Sequence, residues 1–186
     1  MGWNKAQIFR PAPLFYKAER LRKGKIVLSH LPKRLEGTHS RKGAINVLTW
    51  EEWQAKSKSS LAAAQILLQY DKPVEAASRA YYAAYQMVTA VLIKFKLSPR
   101  SEYGNWAHHE TQDMYLTHIC QKADLEYKEK TALTMLRPAF WNLLLRRYQA
   151  DYGPDKGIDM FLARSILRDA NKLVKLLENL IKRGVL

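Results

Sequence analysis

Cysteine occurs once in the chain, at Cys120, which excludes an intramolecular disulfide and any metal site built from several thiolates. Glycine and proline are scarce, 8 and 7 among 186 residues, so the composition is not that of a disordered or low-complexity chain. No apolar run approaches the length that crosses a bilayer. The opening MGWNKAQIFRPAP lacks the apolar core of a secretory signal, and Ala6 stands where a myristoylation signal places Ser or Thr. The expectation is a cytoplasmic protein with no membrane partner.

Catalytic motifs are missing as well. There is no glycine-rich phosphate loop and no Gly-x-Ser-x-Gly elbow. The histidines are His30, His39, His108, His109 and His118, and none pairs with another at i, i+4 around a carboxylate, so neither a metal site nor a cofactor is expected.

What the chain has is hydrophobic residues at 47%, with 10 tyrosines and 5 tryptophans, enough for one domain with a full core plus an appendage. It also has a net charge of +14, unevenly spread. Residues 1–49 hold eleven lysines and arginines against only Glu19 and Glu36, and so carry +9 of that excess. A basic arm of this kind attracts polyanions through counterion release. Its candidate nucleic-acid contacts are Arg20, Arg22, Lys23, Lys25, Lys33, Arg34, Arg41 and Lys42. Phe9, Leu14, Phe15, Tyr16 and the run KIVLSHL fit extended segments docked on the main domain or on a partner, and aromatics interleaved with cations also fit stacking on unpaired bases.

From residue 50 to 186 the pattern is helical and nothing alternates with period two. Thr49 with Glu52 forms a capping-box pattern that predicts a helix from Trp50 to Tyr70. Asp71 as cap and Pro73 in the first turn predict a second over Lys72–Lys96. A shorter third is expected over His108–Lys122, and a fourth over Leu125–Tyr152 with a kink or break near Pro138. A fifth begins at Gly157 or Asp159 and ends at Lys182, with Gly184 closing it. Its apolar stripe is read as Phe161, Ala163, Ile166, Leu167, Ala170, Val174, Leu177 and Ile181. These elements predict an all-α, up-and-down bundle of four to five helices.

Two polar constellations interrupt the apolar faces. In RAYYAAYQ, residues 79–86, Arg79, Tyr82 and Gln86 share one helix face, while Tyr81 and Ala84 belong to another. In RRYQADY, residues 146–152, Arg147 and Asp151 lie one turn apart and Tyr152 follows. Arg before Asp at i, i+4 is the weaker order for helix support, so helix stabilisation explains the pair poorly. A fixed ion pair tying this helix to Tyr82 explains it structurally; a site explains it functionally.

The segments AASRAYYAAYQMVTAVLIKFKL, NWAHHETQDMY and LLRRYQADY, followed by a long closing helix, resemble the HEPN superfamily over residues 50–183. The resemblance is to the branch with an Arg-Ala-Tyr-Tyr-Ala helix and an Arg-x-x-Ala-Asp-Tyr motif. It implies a four-helix core, a homodimer, metal-independent ribonuclease activity in many members, nucleotide binding in others, and a toxin–antitoxin or defence setting with a small nucleotidyltransferase as partner. The family's catalytic Arg followed four to six residues later by His does not occur at Arg147 or at Arg79. Positions 151–153 are Asp, Tyr and Gly, and positions 83–86 are Ala, Ala, Tyr and Gln.

A metal-free ribonuclease needs a base for the 2′-hydroxyl, an acid for the leaving oxygen and positive charge for the phosphorane. The candidates are Arg147 for charge, Asp151 with Tyr152, and a histidine at His108 or His109, framed by Arg79, Tyr82 and Gln86. The rival expectation is a non-catalytic helical adaptor, or a nucleotide-binding partner, whose arm anchors it in a larger assembly.

Overall fold

The computed structural model describes residues 48–99, 104–122, 124–153 and 157–186. The predicted basic arm, with all eight of its candidate nucleic-acid contacts, lies outside the described residues except for Leu48 and Thr49. Among the described residues there are five helices: α1 Trp50–Gln69, α2 Pro73–Lys94, α3 His108–Met114, α4 Tyr127–Tyr152 and α5 Met160–Lys182. A π-helical segment, Tyr115–Cys120, continues α3. There is no strand among the described residues, and none of the described helices is long and apolar enough to cross a membrane.

Helix α2 is the axis of the bundle and packs against every other helix. Ala76, Ala77, Ala80, Ala83, Ala84 and Ala90 are all fully buried on it. Small residues on α1 meet them: Ser57 and Ala64 are fully buried, and Ser57 Oγ donates to the Ala83 carbonyl at 2.6 Å. The two helices run antiparallel, so Lys94 Nζ at the end of α2 sits 4.3 Å over the ring of Trp50 at the start of α1. The opposite side of α2 is filled by α5 and α4, through Leu173, Leu177, Leu133, Phe140 and Leu143.

Helix ends follow the sequence signals with one exception. The Thr49 hydroxyl accepts from Glu52 N while Glu52 Oε2 accepts from Thr49 N, a complete capping box. Asp71, expected as the cap of α2, instead takes a left-handed conformation (φ 56°) that closes α1. The amides of Asp71 and Lys72 bond the Leu68 and Leu67 carbonyls, the paired bonds of a Schellman motif. The same motif ends α2, with Lys96 at φ 61°, and α5, with Gly184 at φ 70°. Lys72 therefore precedes α2 without a side-chain cap, and Pro73 starts it.

Helix α4 does not break at Pro138. Proline removes the amide that would bond the Thr134 carbonyl, but both residues are exposed, so water serves that carbonyl. On the buried side the backbone is held on either flank of the proline. Tyr115 Oη donates to the Leu133 carbonyl at 2.8 Å and Gln112 Nε2 to the Phe140 carbonyl at 3.3 Å. On α5 the predicted stripe is corrected at one end: Phe161 is 83% exposed, whereas Leu173 and Leu180 are buried. Phe161 precedes Ala163 by two residues, roughly 200° around the helix, which turns it away from the core.

Left-handed geometry at a non-glycine residue costs about 1–2 kcal/mol, partly offset by the chain entropy that glycine adds. Lys96→Gly is therefore expected to raise unfolding stability by up to about 1 kcal/mol. Gly184→Ala, where an added Cβ meets nothing within 4 Å, is expected to lower it by about the same amount through backbone strain alone. Urea denaturation of both variants checks the pair; equal signs would contradict the cap geometry.

Candidate functional site

Three tyrosines project from α2 because everything around them is alanine. Tyr81 and Tyr85 are buried, and Tyr82 is half-buried at the edge of the bundle. The C-terminal turns of α4 cross that edge and bring Arg147, Tyr148, Asp151 and Tyr152 to it; the first residue of α3, His108, closes the group.

Arg147 is the centre of the cluster and only 9% exposed. Its Nη2 donates to Tyr82 Oη at 3.1 Å. Nε lies 2.7 Å from Asp151 Oδ2, yet the N–H is not aligned on an acceptor, so the pairing is Coulombic rather than a good hydrogen bond. The guanidinium carbon is also 5.8 Å from the ring centroid of Tyr82 and 5.2 Å from those of both Tyr148 and Tyr152, within cation–π range.

His108 occupies the inner side. Its Nδ1 is 2.8 Å from Tyr81 Oη, and its ring packs at 4.8 Å from that of Tyr85 and 5.4 Å from that of Tyr81. Burial pushes the Tyr81 phenol far up, so it keeps its proton. Nδ1 is its one partner among the described residues, so the phenol donates and the neutral imidazole accepts, which leaves the ring proton on Nε2. Burial, and then the charge of Arg147, lower the His108 pKa, with Asp151 opposing. His108 thus feels the same field as the arginine on α4.

A cleft of about 380 Å³ opens beside this cluster, lined by Val74, Glu75, Ser78, Arg79, Tyr82, Ala150 and Asp151. Arg79 is exposed in it. The Tyr82 hydroxyl accepts from Arg147 and has no acceptor of its own among the described residues, so its proton is available at the cleft wall.

Among the residues singled out in the sequence, Arg79, Tyr82, Arg147, Asp151, Tyr152 and His108 gather at this end of the bundle. Two do not. His109 is exposed and makes none of these contacts. Gln86 turns to α1: its amide meets Ser60 Oγ at 2.7 Å, and the orientation that satisfies it also places Nε2 3.0 Å from the Lys56 carbonyl. The face shared by Arg79 and Gln86 spans seven residues, about 10 Å of helix, and its neighbour changes from α4 to α1 over that length. Tyr81 and Tyr148, which contact His108 and Tyr152, are members of the cluster that the spacing argument left out.

Next to the cluster, Gln149 bonds on both sides of its amide. Gln149 Nε2 donates to the Gly157 carbonyl at 2.8 Å and Gln149 Oε1 accepts from Arg146 Nη1 at 2.7 Å. Among the described residues no three His, Cys, Asp or Glu side chains gather to hold a metal ion. Comparison of the chain with protein-family models and with curated proteins finds no match.

Because the folded-state pKa of His108 lies below the ordinary value of about 6.5, the unfolded chain takes up this proton first as pH falls. The native state is expected to lose stability from about pH 6.5 downward, and to be unaffected by this group above it. In His108→Asn the fall in urea midpoint between neutral and mildly acid pH should be smaller. An identical fall in both proteins would contradict the burial of a neutral imidazole.

Proposed function

We propose that the chain is a HEPN-like protein that binds RNA in a toxin–antitoxin or defence setting, with the cleft between α2 and α4 as its phosphodiester site. The observation that carries the reading is the guanidinium of Arg147. It is almost fully buried, its carboxylate partner is misaligned, and it lies beside a cleft that also holds the exposed Arg79. Taking a cation out of water costs several kcal/mol unless it is paired, and Tyr82, Asp151 and Tyr152 together keep Arg147 charged behind the cleft wall, where it attracts an anionic ligand. The polyanion that a +14 chain attracts supplies one.

Cleavage is a more demanding reading of the same site. Arg147 supplies charge for a phosphorane and the Nε2–H of His108 supplies a donor. His108 Nδ1 is already taken by Tyr81, and the Asp151 carboxylate is drawn to Arg147. A base for the 2′-hydroxyl therefore requires His108 to release Tyr81, so the resting geometry favours binding over cleavage. A homodimer, a nucleotidyltransferase partner and a cytoplasmic location belong to the same proposal and rest on the resemblance alone.

The adaptor reading has one observation of its own. Trp141 and Leu145 stand about half exposed, four residues apart on α4, as an apolar face open to a protein partner. Mass measurement of the full chain and of residues 50–186 mixed with candidate partners separates the two: loss of a hetero-complex without loss of RNA binding favours the adaptor.

Arg79→Ala leaves the fold untouched because the side chain is exposed. It is expected to weaken RNA binding several-fold and to reduce the slope of log K against log salt by about 1. Arg147→Lys should also weaken binding, since an ammonium loses the planar contacts to Tyr82 and Tyr148. Unchanged affinity and slope in both variants, measured by fluorescence anisotropy, would refute the site.

A further inference from the structure

We infer that Tyr148 and Tyr152 form a nucleobase-stacking platform, so that the α2–α4 site takes single-stranded rather than duplex RNA. The inference rests on the RNA reading above and names the form of RNA that the site accepts.

The two rings lie one helical turn apart with centroids at 6.2 Å and planes 29° from parallel. Tyr148 is 42% exposed and Tyr152 74%, so each presents aromatic surface to solvent. They are not loose. The buried Arg147 guanidinium lies 5.2 Å from each centroid and holds both rings from the protein side. A ring fixed from within and bare on its outer side meets the requirement for stacking an unpaired base, because little rotamer freedom is lost when the base arrives.

Position selects the occupant. Arg147, which contacts both rings, also donates to Tyr82 Oη on the wall of the cleft that holds Arg79. Aromatic surface therefore lies beside a cleft where Arg79 offers its cation between the carboxylates of Glu75 and Asp151, with Arg147 behind Tyr82, and a single strand uses a stacking face next to such backbone charge. Bases inside a duplex have both faces covered and cannot use it. A purely apolar partner is a poorer match, since the flanking groups are Arg146, Arg147, Asp151 and Arg79.

The test measures binding of a fluorescein-labelled oligouridine and of an RNA duplex of equal length to the full chain and to three variants: Tyr152→Ala, Tyr152→Trp and Arg79→Ala. Tyr152→Ala is expected to weaken oligouridine binding by about five- to 150-fold, with Tyr152→Trp restoring it and duplex binding unchanged. A 5-iodouridine oligomer should photo-crosslink to the peptide that carries Tyr148 and Tyr152. Wild-type oligouridine affinity in Tyr152→Ala, or crosslinks confined to other peptides, overturns the platform while leaving the Arg79→Ala effect intact. Loss of the Arg79→Ala effect on oligouridine would instead remove the RNA reading beneath it. If Tyr152→Ala changes only the oligomeric mass, the face is a contact between copies of this chain and the inference is wrong.

Discussion

A helix enclosed by neighbours on every side has to be made of small residues, and that constraint on α2 organises the rest. Its alanines let the α1 backbone approach closely enough for the Ser57 hydroxyl to reach a main-chain carbonyl of α2. They also leave the tyrosines at 81, 82 and 85 as the large groups that reach past the backbone toward α3 and α4. The packing rule that builds the core thus decides where polar hydroxyls emerge. The site is the place where the alanine face stops and phenols begin.

Those phenols do different work according to depth. Tyr81 is buried, stays protonated and selects the tautomer of His108. Tyr82, closer to the edge, accepts from Arg147 and keeps its own proton for the cleft. Tyr148 and Tyr152 enclose the guanidinium with aromatic faces. The cation is flanked by three rings and by a carboxylate 2.7 Å from its Nε, and the rings add attraction through quadrupoles that carry no net charge.

Much of the fold could be read from local chemistry. The Thr49–Glu52 box, Pro73 at the start of α2 and Gly184 after α5 placed helix ends within a residue or two, since each works through backbone groups only a few positions away. Failures came where a local signal has two outcomes. Asp71 suits a cap, but it also tolerates left-handed geometry, and a link of three residues between α1 and α2 needed the second property. Gln86 shares a face with Arg79, yet face membership does not say which neighbour that face meets further along the axis. Tyr81 was assigned to the core on periodicity, which is correct for its ring and silent about its hydroxyl. The convergence of Arg147 with Tyr82 was legible only as a pair of motifs, since nothing within either helix dictates the crossing that joins them.

Helix α4 is clasped near its middle, by Gln112 at the Phe140 carbonyl and Tyr115 at the Leu133 carbonyl, while Arg147, Tyr148, Asp151 and Tyr152 sit in its final turns. From Phe140 to Tyr152 the axis runs about 18 Å, so a tilt of roughly five degrees about the clasp sweeps the far end through about 1.5 Å. That is a lever. Displacements of this size are enough to make or break the hydrogen bond from Arg147 to Tyr82. The seating of two buried side chains of the α3 segment therefore governs where the Arg147 guanidinium sits relative to Tyr82.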